Sequence, residues 1–421
     1  MREPRTQRRG SLFFVLSVFT LINTQVRAED FQGSTHMLEF NKPPILYKSK
    51  AATDPVAALN KSLRANRASG WKEYHPSFGY LPAVLEMLGV PESSQMLVFS
   101  KTSVQRRLID SENPRALYFS DNVYVGFIPG APDLEIAAVD PVLGTVFYTV
   151  SQDNSEPVRF RRNDDCLRCH ASARTMGVPG FVIRSLDTDA AAEIVAGTDT
   201  NNLTHCTPIA ERWGGWLVSN APQDWQHRGN AIGSGDTRVQ IPKERLSEIL
   251  RSPLYPSKGS EVLPLLLHDH QTHMHNYITR LNMEGLDRIE SYGHLRYLQV
   301  QIVAFLRYLL FIEEAPLVSP INASEKFIEA FQKNAKRDSK GRSLKDLDLK
   351  TRLFRFPCSF LLDSEAFRKM PAMVREEILS KLHQVLLGEN PDPTFETLSL
   401  SNRQAILEIL KATAPDLTAG W

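Results

Sequence analysis

The sequence predicts an α+β protein, and three observations predict it. Short β-branched and aromatic runs separated by turn dipeptides fill residues 96–160. Beyond about residue 240, longer stretches carry apolar residues at helical spacing. The composition, 42% hydrophobic and 23% charged over 421 residues, is that of a globular chain with a substantial core. Strands gathered first and helices later argue against the alternating pattern of a parallel sheet. The expected organisation is a leader over residues 1–28, an α+β region over 29–240 and a helical region over 241–421.

The leader reads as a secretory signal peptide. Arg2, Arg5, Arg8 and Arg9 form a basic start, Leu12 to Ile22 an apolar stretch, and Val26-Arg27-Ala28 a small-residue cleavage site. The apolar stretch is shorter than the roughly 20 residues a membrane span needs. No later segment qualifies either, since Val300 to Ile312 is interrupted by Gln301 and Arg307. The mature chain is therefore expected in the periplasm or secreted, with no stable membrane span after cleavage. A formal net charge of +1 gives no reason to expect nucleic acid as a partner.

Residues 29–53 read as irregular. Asp54-Pro55 opens a helix through Leu63, with Asp54 as its cap, and Leu81 to Leu88 is a second helix ended by Gly89. Met96 to Phe99, Ala116 to Phe119, Val123 to Ile128, Leu134 to Val139 and Val146 to Val150 then read as an antiparallel β-meander. Phe181 to Arg184 and Trp213 to Ser219 are expected to continue the sheet, with Gly214-Gly215 marking a bulge or a close backbone approach. Helical spacing follows over Lys243 to Arg251, Val262 to Gly285, His294 to Glu314, Ser324 to Lys336, Met373 to Leu387 and Arg403 to Ala412.

One run inside the sheet region carries specific chemistry. Cys166-Leu167-Arg168-Cys169-His170 is a C-x-x-C-H pattern, the attachment signature of haem c. Two thiols at this spacing reach the two vinyl groups of one porphyrin, and the adjacent imidazole of His170 becomes the proximal iron ligand. Asp164 or Asp165 is expected to cap the turn carrying the thiols. Arg161, Arg162 and Arg168 are candidate partners for the propionates, because guanidinium binds carboxylate bidentately. Cys206 and Cys358 remain; an oxidising compartment permits a disulfide, but two separately buried thiols are the expectation.

The sixth iron position has several candidates. His268, His270, His273 and His275 lie on one predicted helix. His270 falls at the centre of the apolar stripe through Leu263, Leu266, Leu267 and Met274, where an imidazole needs a partner. It is the candidate distal ligand, against the plainer reading of a buried, hydrogen-bonded histidine. His268 and His275 fall together on the more polar face, and one straight helix cannot aim all four at one zinc ion. Met274, Met176 and His227 are lesser alternatives.

The motif resembles that of c-type cytochromes. The compact all-α cytochrome c fold does not match, because here a meander precedes the motif. With Val123-Tyr124-Val125-Gly126, Arg212-Trp213-Gly214-Gly215-Trp216 and the His270 to Asn276 segment, the chain resembles a group of large exported single-haem proteins. The resemblance implies haem and export, and implies no substrate. Electron transfer with other redox proteins is the leading expectation. Two others stay open: a peroxidase-like enzyme or gas sensor with an open sixth position, using His227-Arg228, and an interaction protein in which haem is structural. Whether the chain is an enzyme is not decided by its residues.

Overall fold

The computed structural model describes residues 36–65, 73–155, 158–199 and 202–421, so the expected leader over 1–28 lies outside the described residues. Strands β1 (Met96–Val98), β2 (Arg115–Phe119), β3 (Val123–Phe127), β4 (Asp133–Asp140), β5 (Gly144–Ser151) and β6 (Arg161–Arg162) form the expected meander. A late strand, β7 (Trp216–Leu217), adds to the β1 edge. The order is β6-β5-β4-β3-β2-β1-β7, and every neighbouring pair is antiparallel.

Because successive side chains point to opposite faces, the strand residues split into two sets. Leu97, Ala116, Tyr118, Val125, Ile136, Val146 and Tyr148 face α1 (Pro55–Ala65) and α2 (Leu81–Met87), and the same core holds Ile249. Asp54 caps α1 as the sequence predicts, accepting from the amides of Val56 and Ala57 at 2.8 and 3.0 Å. The other face carries Met96, Val98, Phe119, Tyr124 and Val139 into a second core shared with the C-terminal helices. The 29–240 and 241–421 regions thus meet in one apolar interior.

After the meander come α3 (Leu167–His170), α4 (Lys243–Leu250), α5 (Val262–Tyr292), α6 (Gln299–Leu309), α7 (Glu325–Gln332), α8 (Glu365–Arg368), α9 (Ala372–Leu387) and α10 (Leu400–Thr413). Helix α5 lies across the second face. Every residue from Val262 to Gly285 is buried except His273, so this helix has no polar face. Its polar side chains are met one at a time: Gln271 donates to the Ser120 carbonyl and the Tyr124 hydroxyl at 2.7 Å, and Asn282 donates to the Pro141 carbonyl at 2.9 Å.

Three sequence expectations need correction. Phe181 to Arg184 is irregular rather than a strand, because Asn276 of α5 satisfies both the amide and the carbonyl of Phe181 at 2.8 Å. Of Trp213 to Ser219 only Trp216–Leu217 pairs as strand. Gly214 instead makes the close approach foreseen, since a Cβ there would sit 2.6 Å from the Leu186 carbonyl oxygen. The helix expected over His294 to Glu314 begins as a 3-10 turn at Arg296–Leu298 and ends at Leu309. Among the described residues no helix is long and apolar enough to cross a membrane.

Candidate functional site

The C-x-x-C-H run folds as a tight turn. Asn163 caps it, its side-chain oxygen accepting from the Asp165 amide at 3.1 Å, so neither expected aspartate is the cap. A 3-10 turn, Asp164–Cys166, runs directly into α3. The two cysteines stand three positions apart, a spacing that places side chains on one side of a helical turn. Both thiols are free, Cys166 half-buried and Cys169 exposed. Burial pushes the Cys166 thiol up to about 11, so in the folded chain it is a thiol and not a thiolate.

His170 closes the turn. Its Nδ1 lies 3.0 Å from the Gly180 carbonyl oxygen, and its ring 4.8 Å from that of Phe147 on β5. Burial holds the imidazole below its ordinary pKa, and the Arg115 charge acts the same way. A neutral imidazole bonded to a carbonyl carries its proton on Nδ1 and presents the Nε2 lone pair. Among the described residues nothing hydrogen-bonds Nε2.

Helix α5 fixes the loop that supplies this carbonyl. The Gly180 amide donates back to the His170 carbonyl at 2.8 Å, and Asn276 holds the next residue. Any Cβ at Gly180 would lie 2.3 Å from the Asn276 side-chain oxygen, so glycine is required by this approach. One turn along, Arg280 donates to the Met176 carbonyl at 2.7 Å and pairs with Glu284 at 2.7 Å, both side chains being buried. The imidazole is therefore oriented by a carbonyl that is itself clamped.

Beside His170 the sheet is only partly covered. Leu117, Gly126, Glu135 and Thr149 are cross-strand neighbours on β2 to β5, and Phe119, Tyr124, Ala137 and Phe147 form the next row on that face. Leu117, Glu135, Ala137 and Thr149 are half-buried, in the middle of a sheet whose opposite face is closed. Arg115 bridges across this row to Glu135 at 3.0 Å. Glu135 also accepts from Gln105 at 3.2 Å, while the Arg115 Nε is buried with no partner.

The histidines of α5 have different fates. His270 is fully buried, with Nδ1 2.8 Å from the Nδ1 of His205 and Nε2 2.8 Å from the Ser359 hydroxyl. Both its nitrogens are occupied, so a buried imidazole at the centre of the stripe is satisfied without iron. The plainer reading, a buried and hydrogen-bonded histidine, describes it as it stands. His275 Nε2 lies 2.9 Å from the Asp121 carbonyl oxygen. His273, half-buried, packs at 5.0 and 4.9 Å from the Tyr277 and Tyr308 rings. His268 packs at 5.6, 5.7 and 6.0 Å from the rings of Phe119, Tyr124 and Trp216. Its Nδ1 is buried without a partner, and burial lowers the imidazole to about 3.

The remaining candidates are placed as follows. Met274 is wholly buried in the helical core, and Met176 sits in a left-handed turn whose carbonyl Arg280 holds. Arg162 is spent on Asp164 at 3.0 Å and the Tyr47 carbonyl at 2.8 Å. Arg168 points outward, its side chain 82% exposed. Arg161 is exposed on the edge strand β6. His227 lines a separate cavity of about 1030 Å³ with Trp225, Lys243 and Arg251. Its neighbour Arg228 is bound to Asp187 at 2.8 Å, so the pair is not poised over the haem motif. Cys206 and Cys358 form no disulfide with each other. No group of three or more metal-ligating side chains exists among the described residues.

Arg115, Glu135 and Gly126 escaped the sequence reading. Their signal was parity: each falls on the face of its strand that also carries Leu117 and Ala137, where a wholly packed sheet would place apolar residues. No protein-family model, no curated protein and no solved structure matches the chain.

Proposed function

We propose that this chain is an exported haem protein that carries electrons through one covalently bound haem c. Cys166 and Cys169 would form the thioethers and His170 would ligate the iron. Bound there, the haem supplies an iron that cycles between two oxidation states. The observation that carries the reading is the state of the motif. Two unpaired thiols share one turn, and next to them an imidazole is held by the Gly180 carbonyl with Nε2 presented. A metal-binding histidine needs such a partner on its other nitrogen.

The chain's own residues do the rest of the work. Asn276 and Arg280 fix the 170–181 loop, so His170 holds its orientation through a change of iron charge without reorganising. The half-buried Cys166 with its raised thiol is a poor nucleophile in the folded state, which puts thioether formation before folding. Cys169 and Arg168 are exposed, so the thioether edge would lie at the surface where another redox protein can approach. Such an encounter needs only a small, weak interface. An exported location follows from covalent attachment together with the basic and apolar leader, and is proposed with it.

The test is production of the full chain in a host competent for cytochrome maturation. Haem that survives denaturing electrophoresis, with two thiols lost to alkylation, is expected for the native chain. Replacing both Cys166 and Cys169 by Ala is expected to abolish it. A colourless product with all four thiols free to alkylate would overturn the reading.

A further inference from the structure

We infer that the cavity walled by α4, residues 218–227 and residues 258–261 is a binding site for a small organic polyacid, with two or more carboxylates on an apolar body. The cavity shares no residue with the C-x-x-C-H turn, so this goes beyond the haem reading and stands apart from it.

Three observations carry it. The first is that the walls are tied to one another. The Ser219 amide donates to the Ser260 carbonyl at 2.7 Å, and the Gly259 amide to the Leu250 carbonyl at 2.8 Å. The Asn220 side-chain oxygen accepts from the Val262 amide at 3.1 Å. Trp225 is fixed by its indole, which donates to the Ser319 hydroxyl at 3.1 Å, and that hydroxyl donates to Asp224 at 2.8 Å. These bonds join the segment after β7, the start of α5 and the end of α4 around a space of about 1030 Å³. Ligand sites are for the most part preformed concavities of this kind.

The second is how the lining is divided. Lys243, Leu246, Ser247, Leu250 and Arg251 recur at three- and four-residue intervals, so they share one side of α4. Ile249, on another side of the helix, is buried in the closed core. Leu246 and Leu250, with Val218 and Trp225, give the cavity its apolar surface. Lys243 and Arg251 stand at the two ends of the α4 side, about 12 Å apart along the axis. Lys258 stands on the opposite wall. A single inorganic ion is too small for that spread, whereas acid groups carried on an apolar body match it.

The third is unspent charge. Lys243, Arg251 and Lys258 form no ion pair and no side-chain hydrogen bond among the described residues. Arg245 on the same helix, by contrast, pairs with Glu248. The carboxylate in the lining, Glu261, accepts from the Ser324 amide at 3.0 Å. His227 also lines the cavity, with Nδ1 enclosed and without a partner, which leaves Nε2 as the nitrogen open to it. Burial lowers this imidazole, and an orphaned donor is rarer in proteins than an orphaned acceptor. The proton therefore sits on Nε2, where it can be donated to a carboxylate. Cations scattered on a convex surface are merely solvated. These three line one fixed concavity beside an apolar surface, and the guanidinium of Arg251 suits a carboxylate in particular.

The test is calorimetric titration of the full haem-loaded chain with naphthalene dicarboxylate, with inorganic phosphate and neutral naphthalene methanol as comparison arms. The dicarboxylate is expected to bind at one site per chain, more weakly as salt is raised, and about tenfold more tightly than either comparison arm. Lys243→Gln, Arg251→Gln and Lys258→Gln are each expected to weaken it about fivefold. All three side chains are exposed, so these variants should fold as the native chain does. Lys61→Gln, at an exposed lysine of α1 outside the lining, is expected to leave binding unchanged. No saturable binding, phosphate bound as tightly as the dicarboxylate, or cation variants that behave like Lys61→Gln would each overturn the assignment. Covalent haem on a denaturing gel reads the motif separately and stands or falls without it.

Discussion

The two faces of the sheet are made by the same strands and end differently. Toward α1 and α2, Val125, Ile136 and Tyr148 are sealed, and the polar groups are used up: Tyr148 donates to Asp54, whose other oxygen caps α1. Toward α5, the intervening residues Leu117, Glu135, Ala137 and Thr149 stay half-covered, and Gly126 among them is buried beneath Leu117 and Glu135. Unpartnered buried atoms, the Arg115 Nε and the His268 Nδ1, also fall on this side. A face completed by its own chain stabilises the fold. A half-covered face with unmet polar groups around it has no such closure of its own.

Acid is expected to break the comparison open with the largest effect. Burial depresses His268 to about 3 and His273 and His275 to about 4, and holds His205 and His270 well below their ordinary range. The unfolded chain, with ordinary histidines near 6.5, then binds more protons than the folded one. Stability therefore falls as pH drops from about 6.5 toward 4, by about 1.4 kcal/mol per pH unit for each histidine. Asp54 on the other side is raised by burial, so acid favours its folded form. Hydrogen exchange at falling pH should show Leu263 to Met283 losing protection before Leu81 to Met87. Simultaneous loss would mean that the two faces open as one unit.

Next in size is the buried ion pair that anchors α5. Asp269 meets the Arg212 guanidinium at 3.2 Å and the Trp213 indole at 3.1 Å, all three side chains being almost wholly buried. Removing one partner leaves an uncompensated charge, so Asp269→Ala is expected to cost about 3–5 kcal/mol in denaturant unfolding. Replacing Arg212 and Asp269 together by apolar residues should recover much of it. A cost under 1 kcal/mol for Asp269→Ala would show that the helix is held by apolar packing alone.

Neighbouring leucines on the two faces give a smaller and more direct contrast. Leu97 on β1 is fully buried in the closed core, and Leu117 on β2 is half-covered on the open face. Leu97→Ala is expected to cost about 2–5 kcal/mol, as for other sealed leucines. Leu117→Ala in the haem-free chain should cost about 1 kcal/mol, since water already reaches it. Equal costs would mean that the patch is packed.

Much of this was legible in the sequence, and its failures share a cause. The meander was visible because turn dipeptides separate alternating runs, and Asp54-Pro55 announced the cap of α1. The C-x-x-C-H run was visible because its spacing is chemical, and the structure folds it as one tight turn. For His270 the residues left two readings open, because helical phase presumes one wet side. Helix α5 is buried all round, so phase could not tell a satisfied imidazole from an unmet one. Ser359 and His205, the partners of His270, lie 89 and 65 residues away in the chain, beyond the reach of any local pattern. The open patch depended on register, which pairs Leu117 with Gly126 and Gly126 with Glu135 only once the strands are aligned.

The smallest expected change is at Gly126, and it isolates the open face best. Alanine there meets its neighbours at ordinary contact distance and needs no unusual backbone angle. Gly126→Ala should leave the haem-free chain within about 0.5 kcal/mol of native, or slightly stabilise it by restricting the unfolded chain. Gly126→Leu must displace the Leu117 and Glu135 side chains that already touch the Cβ position, and is expected to cost about 1–3 kcal/mol in denaturant unfolding. A leucine that leaves stability untouched would show that these half-covered neighbours move aside freely, unlike any residue of the sealed face.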